Sequence, residues 1–390
     1  MLRVLSLAVA LLLVGDAVGL AVTATDDDPE QSASPTTPAP GGPSTTVGAV
    51  SPVQAVVPEL ERFVERERGL RFTAPVKVDL LDDAAFVKRL RGTGERDTVA
   101  LQKAQGFLRA LHLIDPQVKL DAALDTLLAS AVAGFYDAKT KALVVRGGEA
   151  TPYVRSVLAH ELTHALQDQH FGLDRPALDR RTDEASQAFT VLVEGDAVRI
   201  QLRYFASLSV ADQRSFAAEE QRDVSGTPKG VPEVLVSILV FPYQVGPAFV
   251  AAVLKAGGQS RLDAAFKTPP ETSEQALHPE VFLRGEGARS VSAPKADGKV
   301  TDQGVFGELG ILLLLRGALG QPAATRAAQG WGGDHYVAWR RGTETCVRTA
   351  FVMDTPKDAS ELASGLARWA DRHPGATVSG SGPITLTSCG

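Results

Sequence analysis

The stretch TPYVRSVLAHELTHALQDQHF, residues 151–171, predicts one long helix around which the rest of the fold can be placed. Thr151 can cap this helix, and Pro152 can occupy its first turn, where no backbone N–H is needed. Apolar residues recur along it at helical spacing, so it can pack against a core. His160 and His164 are four residues apart, and they therefore lie on the same face of the helix.

These two histidines belong to an HExxH motif, His160-Glu161-Leu162-Thr163-His164. From one helix face, both imidazoles can bind a single zinc ion, and Glu161 can act beside them as a general base. A catalytic zinc ion usually takes three protein ligands and leaves one position open. The alternative is a helix with two ordinary surface histidines. The motif therefore predicts a further ligand elsewhere in the chain.

Two residues compete for the place of third ligand. Glu194, in LVEGDA, lies on the next predicted helix, Asp183–Phe205, and would complete a His2Glu site. His170 stands where HExxHxxGxxH has its third histidine, but Gln167 replaces the glycine of that pattern. A helix that continues past Gln167 turns His170 away at about 100° per residue. We expect Glu194 to be the third ligand and keep His170 as the alternative.

The residues on either side of Glu194 indicate whether its side chain is buried. Apolar residues flank it on both sides, at 191–193 and 197–198. Such flanks favour a buried ligand over a carboxylate in an exposed ion pair.

The combined pattern resembles a known family. His160, Glu161, His164 and Glu194, with Ala197 three residues later, are similar to the HExxH plus ExxA pattern of gluzincin zinc metallopeptidases. The longer string AHELTHALQDQHF resembles exported bacterial proteins that are described only as candidate metallopeptidases. The resemblance implies that the two histidines and Glu194 bind Zn2+. It also implies that Glu161 activates water for the hydrolysis of a peptide or protein substrate.

One position departs from the family pattern. Several gluzincins carry an acidic residue four positions after the third ligand, where it supports a ligand histidine. Val198 stands at that position here, and Asp196 and Asp168 are the candidate replacements.

The oxyanion-stabilising residue is a separate question, and His278 in TSEQALHPE is the leading candidate. A His-Pro pair in a polar loop is a poor core position, although a turn role is the alternative. Weaker candidates are Tyr136, Tyr243 and His335.

The periodicities, taken with the resemblance, predict an α+β fold. We expect a mostly helical, zincin-like core with a small N-terminal sheet that includes Ala74–Leu81. The runs Ala133–Asp137 and Ala142–Arg146 predict an edge-strand hairpin, whose first strand could bind an extended peptide by strand addition. From about Val337, the pattern strand, strand, helix, strand predicts a small C-terminal α/β unit.

The N-terminal segments predict export. Residues 1–24 are apolar after Arg3 and predict a signal peptide or a retained membrane anchor, and Asp16 favours cleavage. Residues 25–52, rich in Pro, Ser and Thr, predict a disordered linker. The folded part then divides into a peptidase domain, 53–330, and the C-terminal unit, 331–390. We expect a secreted protein, or one anchored to the outer face of the membrane, with an association with the cell envelope.

Composition excludes several classes of protein. The formal net charge of −6 argues against a nucleic-acid binder, which needs a basic surface. The two cysteines, Cys346 and Cys389, are too few for a cysteine-rich zinc module. A disulfide between them fits an oxidising compartment, and two buried free thiols are the alternative.

The function that the sequence predicts is zinc-dependent peptide hydrolysis. The first alternative is a catalytically silent module of peptidase fold that binds partners in the cell envelope. The second is a zinc amidase that acts on wall components, because zinc chemistry does not select the substrate.

Overall fold

The computed structural model describes residues 51–90, 98–130, 133–179, 181–223 and 229–390. These residues form an α+β fold, as the sequence predicts. The expected signal peptide or anchor, and the predicted linker up to residue 50, lie outside the described residues. The last two linker positions, Ser51 and Pro52, are respectively the cap and the first residue of a helix.

The N-terminal two thirds of the described chain are mostly helical. Their helices are α1 (Pro52–Arg68), α2 (Asp83–Leu90), α3 (Thr98–Ala110), α4 (Leu120–Ser130), α5 (Pro152–Phe171), α6 (Pro176–Asp179), α7 (Asp183–Ser207), α8 (Val210–Asp223), α9 (Glu233–Lys267), α10 (Ser273–Leu277) and α11 (Pro279–Leu283).

A three-stranded sheet accompanies these helices. It consists of β1 (Lys77–Leu81), β2 (Gly134–Asp137) and β3 (Ala142–Arg146), in the order β1-β3-β2. β1 is parallel to β3, whereas β2 is antiparallel to β3. The predicted hairpin is therefore present, and β2 is one of the two edge strands of this sheet.

Two helices, α5 and α7, form the centre of this part. Thr151 caps α5 by accepting a hydrogen bond from the Val154 N–H, and Pro152 is the first helical residue, as predicted. Thr182 caps α7 in the same way, through the Ala185 N–H. The two helices share one apolar core with α1 and β3, which contains Leu143, Val145, Leu158, Leu162, Leu166 and Ile200.

α9 crosses α7 at an unusually close backbone contact. A Cβ atom on Gly195 would lie 2.3 Å from the carbonyl carbon of Gly246, so the two backbones meet where neither residue has a side chain. The sequence predicts only Pro247–Lys255 as a helix here. The structure instead continues the helix through Pro242 and Pro247 and interrupts its helical angles only at 257–258.

α9 also has the length and hydropathy of a membrane-spanning helix, and among the described residues no other helix does. Most of its apolar window is buried within the fold, as in the core helix of a soluble protein.

The C-terminal part is a five-stranded antiparallel sheet with helices packed against it. Its strands are β4 (Val300–Gly304), β5 (Trp331–Arg341), β6 (Glu344–Met353), β7 (Thr377–Ser379) and β8 (Ile384–Cys389), in the order β4-β5-β6-β8-β7. The helices are α12 (Gly307–Leu319), α13 (Gln321–Ala328) and α14 (Pro356–Ala370). The predicted order of strand, strand, helix and strand is present. The sequence did not predict β4 or the short β7.

Two features of this sheet bear on the predicted C-terminal unit. Cys346 pairs with Cys389 in the register of β6 and β8, and their sulfur atoms are 2.07 Å apart, at disulfide distance. β4 precedes residue 331 but belongs to the same sheet as β5. The division of the chain at residue 331 stays a prediction.

Candidate metal centre

The structure brings the two motif histidines and Glu194 together between α5 and α7. The Nε2 atoms of His160 and His164 are 3.0 Å apart. The Oε2 atom of Glu194 lies 3.1 Å from the first of these nitrogens and 3.3 Å from the second. We call these three atoms the ligand triangle. All three side chains are buried.

The dimensions of the ligand triangle suit a zinc ion. Ligand atoms that bind tetrahedral zinc at 2.0–2.1 Å are about 3.3–3.4 Å from one another. The three measured separations are at or slightly below that value. Two imidazoles and one carboxylate are also a donor set of catalytic zinc sites, which leaves a fourth position for water or substrate. The residues present therefore fit the ion that the motif implies.

Glu161 lies beside the ligand triangle. One of its carboxylate oxygens is within 4.8 Å of a ring nitrogen of each histidine, so His160, Glu161 and His164 by themselves form a group that could hold a metal ion. Glu194 is the better third ligand because its oxygen is much closer to both nitrogens. That leaves Glu161 free for a role in proton transfer.

The two oxygens of Glu161 are in different situations. Oε2 accepts a 2.7 Å hydrogen bond from the backbone N–H of Tyr136, on β2. Oε1 is buried and has no hydrogen-bond partner among the described residues. Burial raises the pKa of the Glu161 carboxyl and the charge of Glu194 adds to this, whereas the two histidines lower it. An unpaired, buried carboxylate oxygen is suited to accept a proton.

Glu194 and His164 perturb each other strongly. Burial alone would lower the pKa of His164, but the charge and hydrogen bond of Glu194 outweigh burial and raise that pKa to about 9. Burial alone would raise the pKa of Glu194, but the histidines outweigh it and lower that pKa to about 2. Without a metal ion, the site is therefore a carboxylate paired with an imidazolium. A bound cation would take the place of that proton.

Two glutamines orient the histidines, and sequence reasoning missed both. The Nδ1–H of His160 donates to Gln201 Oε1 at 3.0 Å, and the Nδ1–H of His164 donates to Gln167 Oε1 at 3.0 Å. Each bond leaves the Nε2 atom of that ring for the ligand triangle. The signal was present, because Gln167 follows His164 by three positions and so lies on the same side of α5.

The two acidic residues predicted to replace the family's supporting carboxylate have other partners. Asp196 contacts Gln167 rather than a histidine, with 3.2 Å between Gln167 Nε2 and Asp196 Oδ2. Asp168 accepts hydrogen bonds from the hydroxyl of Tyr136 and from the Lys141 ammonium, at 2.7 and 2.6 Å. Asp168 thereby fixes the β2–β3 hairpin beside the site.

The alternative ligand, His170, is not among the residues brought together. α5 continues through it, and its Nε2–H donates to the carbonyl of Arg71 at 2.7 Å on the protein surface. Position 167 is Gln rather than Gly, so the chain makes no turn there and the helix carries His170 away from the ligands, as expected.

Of the oxyanion candidates, Tyr243 contacts a ligand through its side chain. Its ring stacks on that of His160, with 6.2 Å between the ring centres. Tyr136 is turned by its hydroxyl toward Asp168, and His335 lies on β5. The Nε2 of His278 contacts Glu308 Oε1, on α12, at 2.9 Å. The role predicted for His278 stays a prediction.

His278 belongs to a second cluster of titratable groups, which the sequence did not predict. Four buried carboxylates from four elements form this acidic cluster: Glu184 on α7, Glu274 on α10, Glu308 on α12 and Asp334 on β5. Burial raises the pKa of Glu184 to about 8, although hydrogen bonds from the N–H and hydroxyl of Ser273 act in the opposite direction. The acidic cluster therefore joins the first turn of α7 to the C-terminal part.

Comparisons with known proteins bear only on the C-terminal part. Residues 295–388 match a family described as a domain of unknown function, DUF8575. This range contains the five-stranded sheet, apart from Cys389 at the end of β8, and its helices, and it contains none of the residues of the ligand triangle. No curated protein and no solved structure matches the chain.

Proposed function

We propose that this protein is an exported, zinc-dependent metallopeptidase of zincin-like core, which hydrolyses peptide bonds. The observation that carries the proposal is the ligand triangle, whose edges suit tetrahedral zinc, together with the unpaired oxygen of Glu161 beside it. His160, His164 and Glu194 would hold the ion. When bound, zinc supplies Lewis acidity, which polarises a carbonyl and lowers the pKa of water to about 7.

Glu161 would move the proton in this reaction. Its Oε1 accepts a proton from water, while the water oxygen bonds to the carbonyl carbon of the scissile amide. The C–N bond then breaks, and Glu161 returns the proton to the departing nitrogen, which leaves as a neutral amine. The hydrogen bond from the Tyr136 N–H holds Oε2, so that the carboxylate keeps one orientation through both transfers.

β2 would align the substrate. In its antiparallel ladder with β3, the backbone of residue 133 bonds to Arg146, so alternate residues of β2 present their N–H and C=O groups to the free edge. The Tyr136 N–H, which reaches Glu161, belongs to this outward set. A peptide added to that edge would therefore run past Glu161 as an extended strand.

Burial of the site has a consequence for access. The ligands and Glu161 are almost fully shielded from solvent, and the Tyr243 ring on α9 covers one side of His160. Short peptides are the better first substrates for an assay.

A peptide-library assay with the purified full-length chain tests the proposal. We expect the parent, loaded with zinc, to cleave peptides, and Glu161→Gln to lose about 10²–10⁴-fold in rate while still binding zinc. Glu184→Gln is the matched control, because it also replaces a buried carboxyl by an amide, and it should cleave like the parent. Equal activity of Glu161→Gln and parent would refute the proposal. Zinc binding without cleavage of any peptide would favour a silent binding module, and cleavage of wall amides alone would favour an amidase.

A further inference from the structure

Beyond the ligands, a line of buried polar side chains leads from His164 to Arg68, the last residue of α1. Gln167 is fully buried and contacts His164, and Asp196 contacts Gln167. The Nε–H of Arg68 donates to the same Asp196 oxygen, Oδ2, at 2.7 Å. The Arg68 side chain is also fully buried.

The contacts of Gln167 determine the orientation of its amide group. Its NH2 group donates to the carbonyl of Val193 at 3.1 Å and to Asp196 Oδ2 at 3.2 Å. Both partners are acceptors, so the nitrogen of the amide must face them and Oε1 must face His164. Because Oε1 can only accept, the Nδ1 of His164 must carry a proton. In the neutral ring, which is the form that binds a metal ion, the Nε2 lone pair is then directed at the ligand triangle.

Asp196 in turn is held by arginines from two elements. Arg68 bonds to its Oδ2, and Arg199 bonds to its Oδ1 at 2.7 Å. The Arg68 guanidinium also lies over the rings of Phe171 and Phe266 and forms a second ion pair, 2.6 Å long, with Asp263 on α9. Arginines from two helices, α1 and α7, thereby fix the Asp196 carboxylate.

Stability alone does not account for this arrangement. A buried ion pair loses hydration energy that its attraction offsets only in part, so apolar residues of similar volume often stabilise a fold as well or better. Arg68 Nη1 is moreover buried without a hydrogen-bond partner among the described residues. What the ion pair provides, and apolar packing would not, is a fixed acceptor for the Gln167 amide.

We propose that Gln167, held by the Arg68–Asp196 ion pair, is the positioning residue for His164 and fixes the ring tautomer that binds metal. This inference rests on the proposed function, since it assigns residues to the same zinc site. It differs from the family pattern in chemistry. A neutral amide, rather than a carboxylate, faces the histidine. The carboxylate of Asp196 contacts that amide instead of the ring, and its negative charge is neutralised by arginines.

The test compares zinc affinity, measured by competition with a chelator, among the parent and three variants of the full-length chain. Gln167→Met keeps the length of the side chain and removes no charge, and it should weaken zinc binding by about 10–100-fold. Asp196→Ala should have a comparable effect. Asp263→Ala removes the other ion pair of Arg68, with no contact to Gln167, and should keep the affinity of the parent.

A spectroscopic readout separates positioning from general loss of structure. Cobalt(II) in place of zinc reports ligand geometry through its visible absorption. The bands should shift in Gln167→Met and stay unchanged in Asp263→Ala. Parental zinc affinity and cobalt bands in Gln167→Met would overturn the inference while leaving the zinc site intact. Equal losses in Asp196→Ala and Asp263→Ala would overturn the part assigned to the ion pair. A parent that binds neither metal would instead refute the proposed function, and the inference with it.

Discussion

Two positions of α7, one in its first turn and one near its middle, carry the same residue type in the same degree of burial, yet with opposite electrostatics. Glu184, in the first turn, and Glu194, at the ligand triangle, are each 2 % exposed. They are separated by about 15 Å along the helix axis, at 1.5 Å per residue. The pKa of Glu184 is raised to about 8, whereas that of Glu194 is lowered to about 2.

The partners cause this difference. Glu194 lies against two imidazoles, which favour its charged form. Glu184 lies near Asp334 and Glu308, whose charges disfavour ionisation, and accepts two hydrogen bonds from Ser273. Burial therefore does not decide what a carboxylate does. The middle of α7 keeps a negative charge that can meet a cation, and its first turn keeps a proton.

The largest expected effect of a single substitution follows from removing the charged Glu194. Glu194→Ala leaves two histidines without the carboxylate, so zinc affinity should fall by more than about 100-fold, beyond the loss typical of outer-shell partners. Chelator competition measures this. Glu184→Gln on the same helix should bind zinc like the parent. If Glu194→Ala retains zinc and His170→Ala loses it, His170 is the third ligand.

The next effect is expected beside the protonated Glu184. Gly307 has a φ of +77°, and a Cβ atom there would lie 2.2 Å from the Glu184 carboxyl carbon. Gly307→Ala should therefore destabilise the protein by about 2 kcal/mol or more in urea unfolding, from backbone strain and overpacking. Zinc affinity of the folded variant should be unchanged. A loss of zinc with normal stability would show that the surroundings of Glu184 and of Glu194 do not act separately.

The smallest effect concerns pH. Because the folded-state pKa of Glu184 is raised from 4.5 to about 8, its contribution to stability is fully present below pH 4.5 and is lost as pH rises through 8. Between pH 5 and 9, the melting temperature of the parent should fall more than that of Glu184→Gln, by about 3 °C. Glu344→Gln, in an exposed ion pair with Arg341, is the control and should follow the parent. Parallel curves for Glu184→Gln and parent would mean that Glu184 is ionised at neutral pH.

The sequence could predict the parts of the fold that depend on local pattern. The helix that carries His160 and His164, the helix that carries Glu194 and the hairpin all have caps, turns or periodicities in their own residues. α9 was predicted only in part because Pro242 and Pro247 normally end a helix, and packing against α7 overrides that local tendency. β4 has few apolar residues, so its own sequence does not predict a strand. Its hydrogen-bonded pairing with β5 makes it one.

The site, like the fold, could be predicted only where its residues follow a local sequence pattern. His160, Glu161 and His164 are adjacent in sequence, and Glu194 could be found from its apolar surroundings. The contacts of Gln201 and of Arg68 depend on how α1, α5 and α7 pack together, which no local pattern encodes. The acidic cluster was missed for the same reason, since its four carboxylates come from four separate elements.

X-ray absorption at the zinc edge, on the zinc-loaded full-length chain, tests the central claim most directly. The account predicts one zinc ion per chain, coordinated by nitrogen and oxygen at about 2.0–2.1 Å, with two imidazole ligands and no sulfur. Glu184→Gln should give the same spectrum, and Glu194→Ala should lose the ion or its coordination. A folded parent that retains no zinc, or zinc bound through sulfur or without imidazole, would contradict it.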